Sequence, residues 1–229
     1  MKTVAIVQSN YIPWKGYFSL IDLVDEFVIL DEVQFTKNDW RNRNKIKTRD
    51  GVQWITIPVR QERLDQKISE VTVSDARWSR KHWNTLVQNY SKAPRFKRHA
   101  SLVEDMYLEA GKLWRLSDIN VLFIRRLCSV FQVETKLTSC TDYVMTGDRV
   151  QRLVNICMQT GAGRYLSGPA ARGYLDESQF EAEGIEVQWM DYNGFPVYDQ
   201  LFPPFEHGVS MLDLLFNVGA RESRYFRKR

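Results

Sequence analysis

Two buried-strand signatures stand so close together at the start of this chain that only a crossover can join them. Residues 3–8, TVAIVQ, form a β-branched apolar run with almost no alternation. Such a run fits a strand covered on both faces, as in a parallel sheet. Residues 26–32, EFVILDE, repeat the pattern and end on Asp31 and Glu32. Between them, SNYIPW carries Pro13, which interrupts regular structure. KGYFSLIDLVD then spaces Phe18, Leu20, Ile21, Leu23 and Val24 on one face of a helix over about 16–24. Strand, helix and strand within roughly thirty residues make a βαβ unit, which requires parallel strands.

The remaining pattern extends that unit. VQWITIPV at 52–59 reads as a strand near a sheet edge, because Pro58 lacks a ladder donor. Lys45–Thr48 and Val52–Thr56 read as a hairpin about a type I′ Asp50-Gly51 turn. From 74 to 132 the spacing is helical: one helix from Ser74 to about 90, a second over RFKRHASLVEDMYLEAGKLW, and a third capped by Ser117. TKLTSC is a strand, GDRVQRLVNICMQTG a helix closed by Gly161, and RYLSGPAARGYL a strand with a glycine turn. SQFEAEG is a short helix, IEVQWMDY a strand, and VSMLDLLFNVG a helix stopped at Gly219. The expectation is an α/β fold. It has a largely parallel Rossmann-like sheet, helices on both faces and a mainly helical segment at about 74–132, in one domain over 1–229.

Composition narrows the function classes. A 44% hydrophobic, 26% charged chain of 229 residues without low-complexity tracts has a core to bury and is not intrinsically disordered. A net charge of +4 suits anionic partners (phosphates, nucleotides or RNA) without choosing among them. Cys128, Cys140 and Cys157 are widely spaced and odd in number, which points to free thiols in a reducing compartment. His82, His99 and His207 stand in no metal-ligand spacing with them, so there is no zinc motif. His82 and His99 lie in stretches dense in Lys and Arg and read as surface residues. MKTVAIVQSN is too short and polar for a signal peptide, and no apolar run spans a bilayer; the expected location is cytoplasmic. The tail RESRYFRKR reads as a solvated helix end, with contact to acidic lipid or nucleic acid as the alternative.

In an open α/β sheet, ligands bind at the carboxyl ends of the strands. Four segments meet that rule: Gln8–Gly16, Asp31–Arg43, Ser167–Arg172 and Asp191–Asn193. The second runs into NDWRNRNKIKTRDG, where Lys37 to Arg49 hold six basic residues and one acid, Asp39. Lys37, Arg41 and Arg43 are the expected anion clamp, with Trp40 between them and Asn42 or Asn44 reading hydroxyls or amides. Gly16, beside Lys15 at the helix start, either bares backbone N–H groups to a phosphate or simply packs. Ser167-Gly168-Pro169, with Arg172 nearby, is either an anion cradle or an ordinary turn. Of Asp31 and Glu32, one is a general base with a burial-raised pKa, Asp31 being the expected one, or both are solvated loop acids or partners for Lys37. His207 is an acid–base group or a capping residue.

The segment IVQSNYIPWKGYFSLIDLVDEFVILDEVQFTKNDWRNRNKI resembles the opening of the WbqC-like family. YLSGPAARGYLD and SMLDLLFNVG resemble its later blocks. The resemblance covers nearly the whole chain and departs at Ser9, where proline is common. Its blocks fall on Gln8, Asn10, Tyr11, Gly16, Asp31, Gln34, Lys37, Trp40, Asn42, Arg43, Asn44, Ser167, Gly168 and Tyr174, and on Ser210, Asp213 and Asn217. It implies transfer of an acyl or aminoacyl group, glycyl among them, to an amino sugar nucleotide in surface-polysaccharide (O-antigen) biosynthesis. The implied donor is an acyl thioester or an aminoacyl-tRNA, so the expected partners are a sugar nucleotide and tRNA. Tyr11 or Trp40 would stack on the base or sugar. The chain is also similar, more distantly, to nucleotidylyltransferase-like α/β folds. Trp14-Lys15-Gly16-Tyr17 stands where those carry H-x-G-H, with both histidines absent. Adenylate chemistry and a non-catalytic RNA- or anionic-glycan-binding module stay open as alternatives.

Overall fold

The computed structural model describes residues 1–228; Arg229, the last residue of the tail, lies outside the described residues. β1 (Thr3–Val7), α1 (Lys15–Asp22) and β2 (Glu26–Ile29) form the expected opening unit. β1 and β2 pair in parallel from Val4 against Glu26 to Val7 against Ile29. Between residues 30 and 135 the chain leaves the sheet. It builds a hairpin of β3 (Arg43–Thr48) and β4 (Gly51–Thr56), then a ribbon of β5 (Val59–Arg60) and β6 (Thr72–Val73). Three helices follow: α2 (Trp78–Tyr90), α3 (Phe96–Ala110) and α4 (Leu116–Val130). It returns as β7 (Lys136–Ser139), α5 (Arg149–Thr160), β8 (Arg164–Ser167), α6 (Ser178–Glu181), β9 (Glu186–Trp189) and α7 (Met211–Asn217).

The central sheet has the order β7-β2-β1-β8-β9 with every neighbouring pair parallel, a Rossmann-like arrangement. The chain builds outward from β1 through β2 to β7, then crosses to the other side for β8 and β9. Strand order therefore reverses between β1 and β8, which is where such sheets open a crevice at their carboxyl ends.

Alternation along the strands divides the core in two. Ala5, Phe27, Ile29 and Leu166 face the larger core with Phe18 and Ile21 of α1, Phe123 and Leu127 of α4, and most of α7. Val4, Ile6, Val28 and Tyr165 face the second core with Leu153, Ile156 and Cys157 of α5 and Phe180 of α6. Both faces are covered, so the strands read as unbroken apolar runs. The Asp148 carboxylate caps α5 through the Val150 and Gln151 amides, at 2.8 and 2.9 Å, and Gly161 ends the helix in the left-handed region at φ 70°.

Several expectations are corrected. The hairpin pairs Thr48 with Gly51, so its turn residues are Arg49 and Asp50, both at negative φ, and Gly51 takes φ 108°. That geometry is not type I′. The 52–59 segment forms β4 and enters β5, both outside the central sheet. α2 begins at Trp78 rather than at Ser74, and Ser117 lies inside α4. The tail is not a solvated helix end: Phe226 is buried, Arg227 pairs with Asp22 at 3.2 Å, and Lys228 donates to the Asp191 carbonyl at 2.6 Å.

His82 is buried, not a surface residue. Its Nε2 lies 3.1 Å from the Thr56 carbonyl, and its Nδ1 lies 2.8 Å from the Tyr11 hydroxyl, which lies 2.8 Å from that of Tyr107. A carbonyl only accepts. Nε2 therefore carries the proton, Nδ1 accepts from Tyr11, and the Tyr11 oxygen accepts from Tyr107. Burial holds the His82 pKa down to about 4, so the ring is neutral. Cys128, Cys140 and Cys157 are free and buried. Among the described residues, no helix is long and apolar enough to cross a membrane.

Candidate functional site

A cleft of about 810 Å³ opens where strand order reverses. Its floor is the carboxyl ends of β1, β2 and β8: Val7, Gln8, Leu30 and Ser167 all line it. One wall is the first turn of α5, with Asp148, Arg149 and Arg152, and the turn after β8, with Gly168 and Tyr174. The rings of Trp14, Tyr17, Trp40 and Tyr192 also line it, and the Tyr192 hydroxyl comes close to Gly168. The volume and the mix of rings with a few polar groups suit a ligand of nucleotide size.

Two arginines supply the positive charge. The Arg149 guanidinium stacks on the exposed Tyr174 ring, 3.4 Å from its centroid. Arg152 is fixed by an Nε bond of 3.2 Å to the Gly147 carbonyl, which leaves its terminal nitrogens for other partners. Asp148 already occupies the amides of the helix start, so an anion here would be met by guanidinium groups rather than by backbone N–H.

Glu32 is the carboxylate beside them. It accepts from Lys67 Nζ at 2.7 Å and from Ser69 Oγ at 2.6 Å. These bonds hold its pKa below the ordinary glutamate value, so it is ionised at neutral pH. Glu32 also lines a second cavity, of about 680 Å³, between β2, β7 and α4, so it stands in the wall between the two.

Of the residues expected from the sequence, Gln8, Asn10, Gln34, Trp40, Ser167 and Gly168 line the cleft. Arg41 stands one layer behind, donating to Gln8 Oε1 at 2.7 Å while pairing with Asp39 at 3.2 Å. The others are placed elsewhere. Asn44 donates to the Tyr11 and Ile12 carbonyls, both at 2.9 Å, and accepts from Lys45 N at 2.7 Å. It clasps a turn in which Ile12 is held at φ 36°, a strained value for a β-branched residue. Asn42 donates to the Ile57 carbonyl at 3.1 Å. Arg43 lies over Trp54, and Lys37 is exposed. Tyr11 belongs to the buried chain with His82, and Arg172 lies over Trp189.

Asp31 is also structural in its contacts. It is 4% exposed, accepts from Ser9 N at 2.8 Å and from Ser117 Oγ, and so ties the ends of β1 and β2 to α4. Burial pushes its carboxyl up against those two bonds. It lines the second cavity, not the cleft. Lys15 turns away: its Nζ donates to the Pro196 carbonyl at 3.0 Å inside a box of Phe195, Tyr198 and Phe205 rings. Burial lowers its pKa to about 8 against the attraction of Asp213. A Cβ on Gly16 would meet the Trp14 ring at 2.2 Å, so Gly16 is a packing position beneath an indole rather than an open amide. His207 packs edge-on against Phe205 near Lys15, outside the cleft. The C-terminal block is spent on packing as well: the Asp213 carboxylate accepts from Tyr90, Tyr198 and Gln200.

Arg149 and Arg152 are the cleft residues that sequence reasoning passed over; Glu32 and Tyr192 lie within the strand-end segments Asp31–Arg43 and Asp191–Asn193 that it singled out. The signal for the two arginines was the capped helix start after a strand. Its relevance depends on β8 lying beside β1, which the local pattern does not state.

The fold and cleft thus define a Rossmann-like α/β chain with an aromatic-lined cleft at its switch point, where Arg149 and Arg152 stand with the carboxylates Glu32 and Asp148. The chain belongs to the WbqC-like protein family, whose model matches residues 8–225. A relative from Mycobacterium tuberculosis (strain ATCC 25618 / H37Rv), the "Uncharacterized protein Rv1507c", is 48% identical over 228 residues, covering 99% of this chain and 98% of its own length. No solved structure matches.

Proposed function

We propose that this protein is an acyl- or aminoacyltransferase, with glycyl among the acyl groups, that forms an amide on an amino sugar nucleotide for surface-polysaccharide (O-antigen) assembly. One observation carries the reading: a nucleotide-sized cleft at the β1/β8 switch, lined by two arginines and by aromatic rings. In this reading Arg149 and Arg152 grip the diphosphate. Trp14 and Tyr192 flank the base or sugar, and Gln8, Asn10 and Ser167 read hydroxyls. Glu32, ionised, orients the acceptor's amino group.

The free amine attacks the carbonyl of an ester or thioester. The C–N bond forms, the C–O or C–S bond breaks, and the proton lost from nitrogen leaves with the alcohol or thiol. Holding both reactants in one cleft supplies the orientation such a step needs. The test is mass spectrometry of an amino sugar nucleotide incubated with the protein and either an acyl-coenzyme A or an aminoacyl-tRNA. The expected product carries the acyl mass. Glu32→Gln lowers kcat/KM about tenfold through the acceptor, the loss of one charge-assisted contact. No amide with either donor class would overturn the reading.

A further inference from the structure

The outward face of the β3–β4 hairpin carries a surface that the cleft does not absorb. Register sets Lys45 opposite Trp54 and Arg43 opposite Thr56, so these side chains share one face of the ribbon. Trp54 is 38% exposed and Trp40 is 37% exposed, with ring centroids 5.0 Å apart and planes tilted by 44°. The Arg43 guanidinium sits 4.2 Å from the Trp54 ring centroid. Lys45 Nζ lies 5.3 Å from Trp54 and 5.8 Å from Trp40. Asp39, the one acid between Lys37 and Arg49, pairs with Arg41 instead. Among the described residues no carboxylate pairs with Arg43 or Lys45, and Trp40 also lines the cleft, so platform and cleft are continuous.

Exposed indoles flanked by cations grip flat groups that alternate with anionic ones, the pattern of bases and phosphates in a single strand. A neutral glycan would use the rings and leave the guanidinium and ammonium groups without partners. We infer that this platform seats a single-stranded RNA end, with bases stacked on Trp54 and Trp40 and a phosphate between Arg43 and Lys45. The terminal ribose would then arrive at the cleft mouth. This rests on the transferase reading and deepens it: the donor is an aminoacyl ester on RNA rather than a thioester.

The test is fluorescence anisotropy of a labelled single-stranded RNA heptamer with the full chain, beside calorimetry of a nucleotide diphosphate in the cleft. Binding should weaken with salt at a log–log slope of about −0.7 to −1.4, as for one or two phosphates on a single strand. Trp54→Ala should weaken RNA binding about tenfold or more, Trp54→Phe only a few-fold, and Lys45→Glu about tenfold with a shallower slope. All three should keep the diphosphate affinity, which also reports that they fold. If Trp54→Ala does not fold, Trp54→Phe and Lys45→Glu carry the test. Diphosphate binding without RNA binding overturns the platform alone. RNA binding that ignores Trp54 and Lys45, or that an oligosaccharide displaces, overturns it too. RNA binding without diphosphate binding keeps the platform and overturns the cleft reading.

Discussion

Asn44 and Arg152 both stand near the carboxyl edge of the sheet, and the fold uses them in opposite ways. Asn44 lies in the stretch of the chain densest in amides and cations, yet its side chain is buried and fully engaged with backbone. Arg152 lies in an ordinary amphipathic helix, yet it is exposed and lines the cleft. The contrast teaches that a dense run of polar residues often marks a backbone that is hard to fold. The turn after β1 has carbonyls to satisfy and a positive φ at Ile12, and amides from a neighbouring strand are the means. Ligand-facing charge needs only exposure and position.

Three measurements probe the buried side of that contrast, beginning with the largest effect. Asn44→Ala strips partners from two carbonyls and one N–H, and should cost about 4 kcal/mol, since each buried polar group left unpaired costs about 1–3 kcal/mol. Denaturant unfolding reads this directly, and a wild-type midpoint would mean the clasp holds nothing. The second effect is pH-dependent. His82 has a folded pKa of about 4, below its ordinary 6.5, so the unfolded chain binds the proton first. Stability is therefore lost as pH falls from 6.5 through 4, by about 3 kcal/mol from this group. Asp31 and Asp213, whose pKa values are raised by burial, act in the opposite direction. Comparing wild type with His82→Gln, whose amide can serve Thr56 and Tyr11 alike, isolates the histidine. Parallel pH curves for the two proteins would remove the buried tyrosine–histidine chain from the account. The third effect is the smallest in stability. Asp31→Asn keeps the acceptor for Ser9 and should cost about 1 kcal/mol, with turnover per folded molecule unchanged. A large loss of turnover at full stability would return Asp31 to the chemistry.

The fold was legible where the signal is local. The unalternating strands TVAIVQ and EFVILDE, the helix within GDRVQRLVNICMQTG and its Gly161 stop all read correctly, because burial on both faces and helix termination are short-range demands. The rule that ligands meet strand ends also led to Gln8, Asn10, Ser167 and Gly168, which line the cleft. What stayed hidden was side-chain direction. Nothing in the spacing says that Lys15 turns into an aromatic box, that Trp14 covers Gly16, or that Asn42 and Asn44 face inward. Strand order was hidden as well, because residues 30–135 separate β2 from β7, and the place of α5 follows from that order.

The most direct test sets the two regions side by side. Isothermal titration of a nucleotide diphosphate sugar into wild type, Arg149→Ala/Arg152→Ala and Lys37→Ala/Arg43→Ala asks which cations hold the anion. The account predicts affinity lower by about tenfold or more for the α5 pair, from lost charge-assisted bonds, and wild-type affinity for the loop pair. Loss of affinity in the loop pair with none in the α5 pair would contradict it.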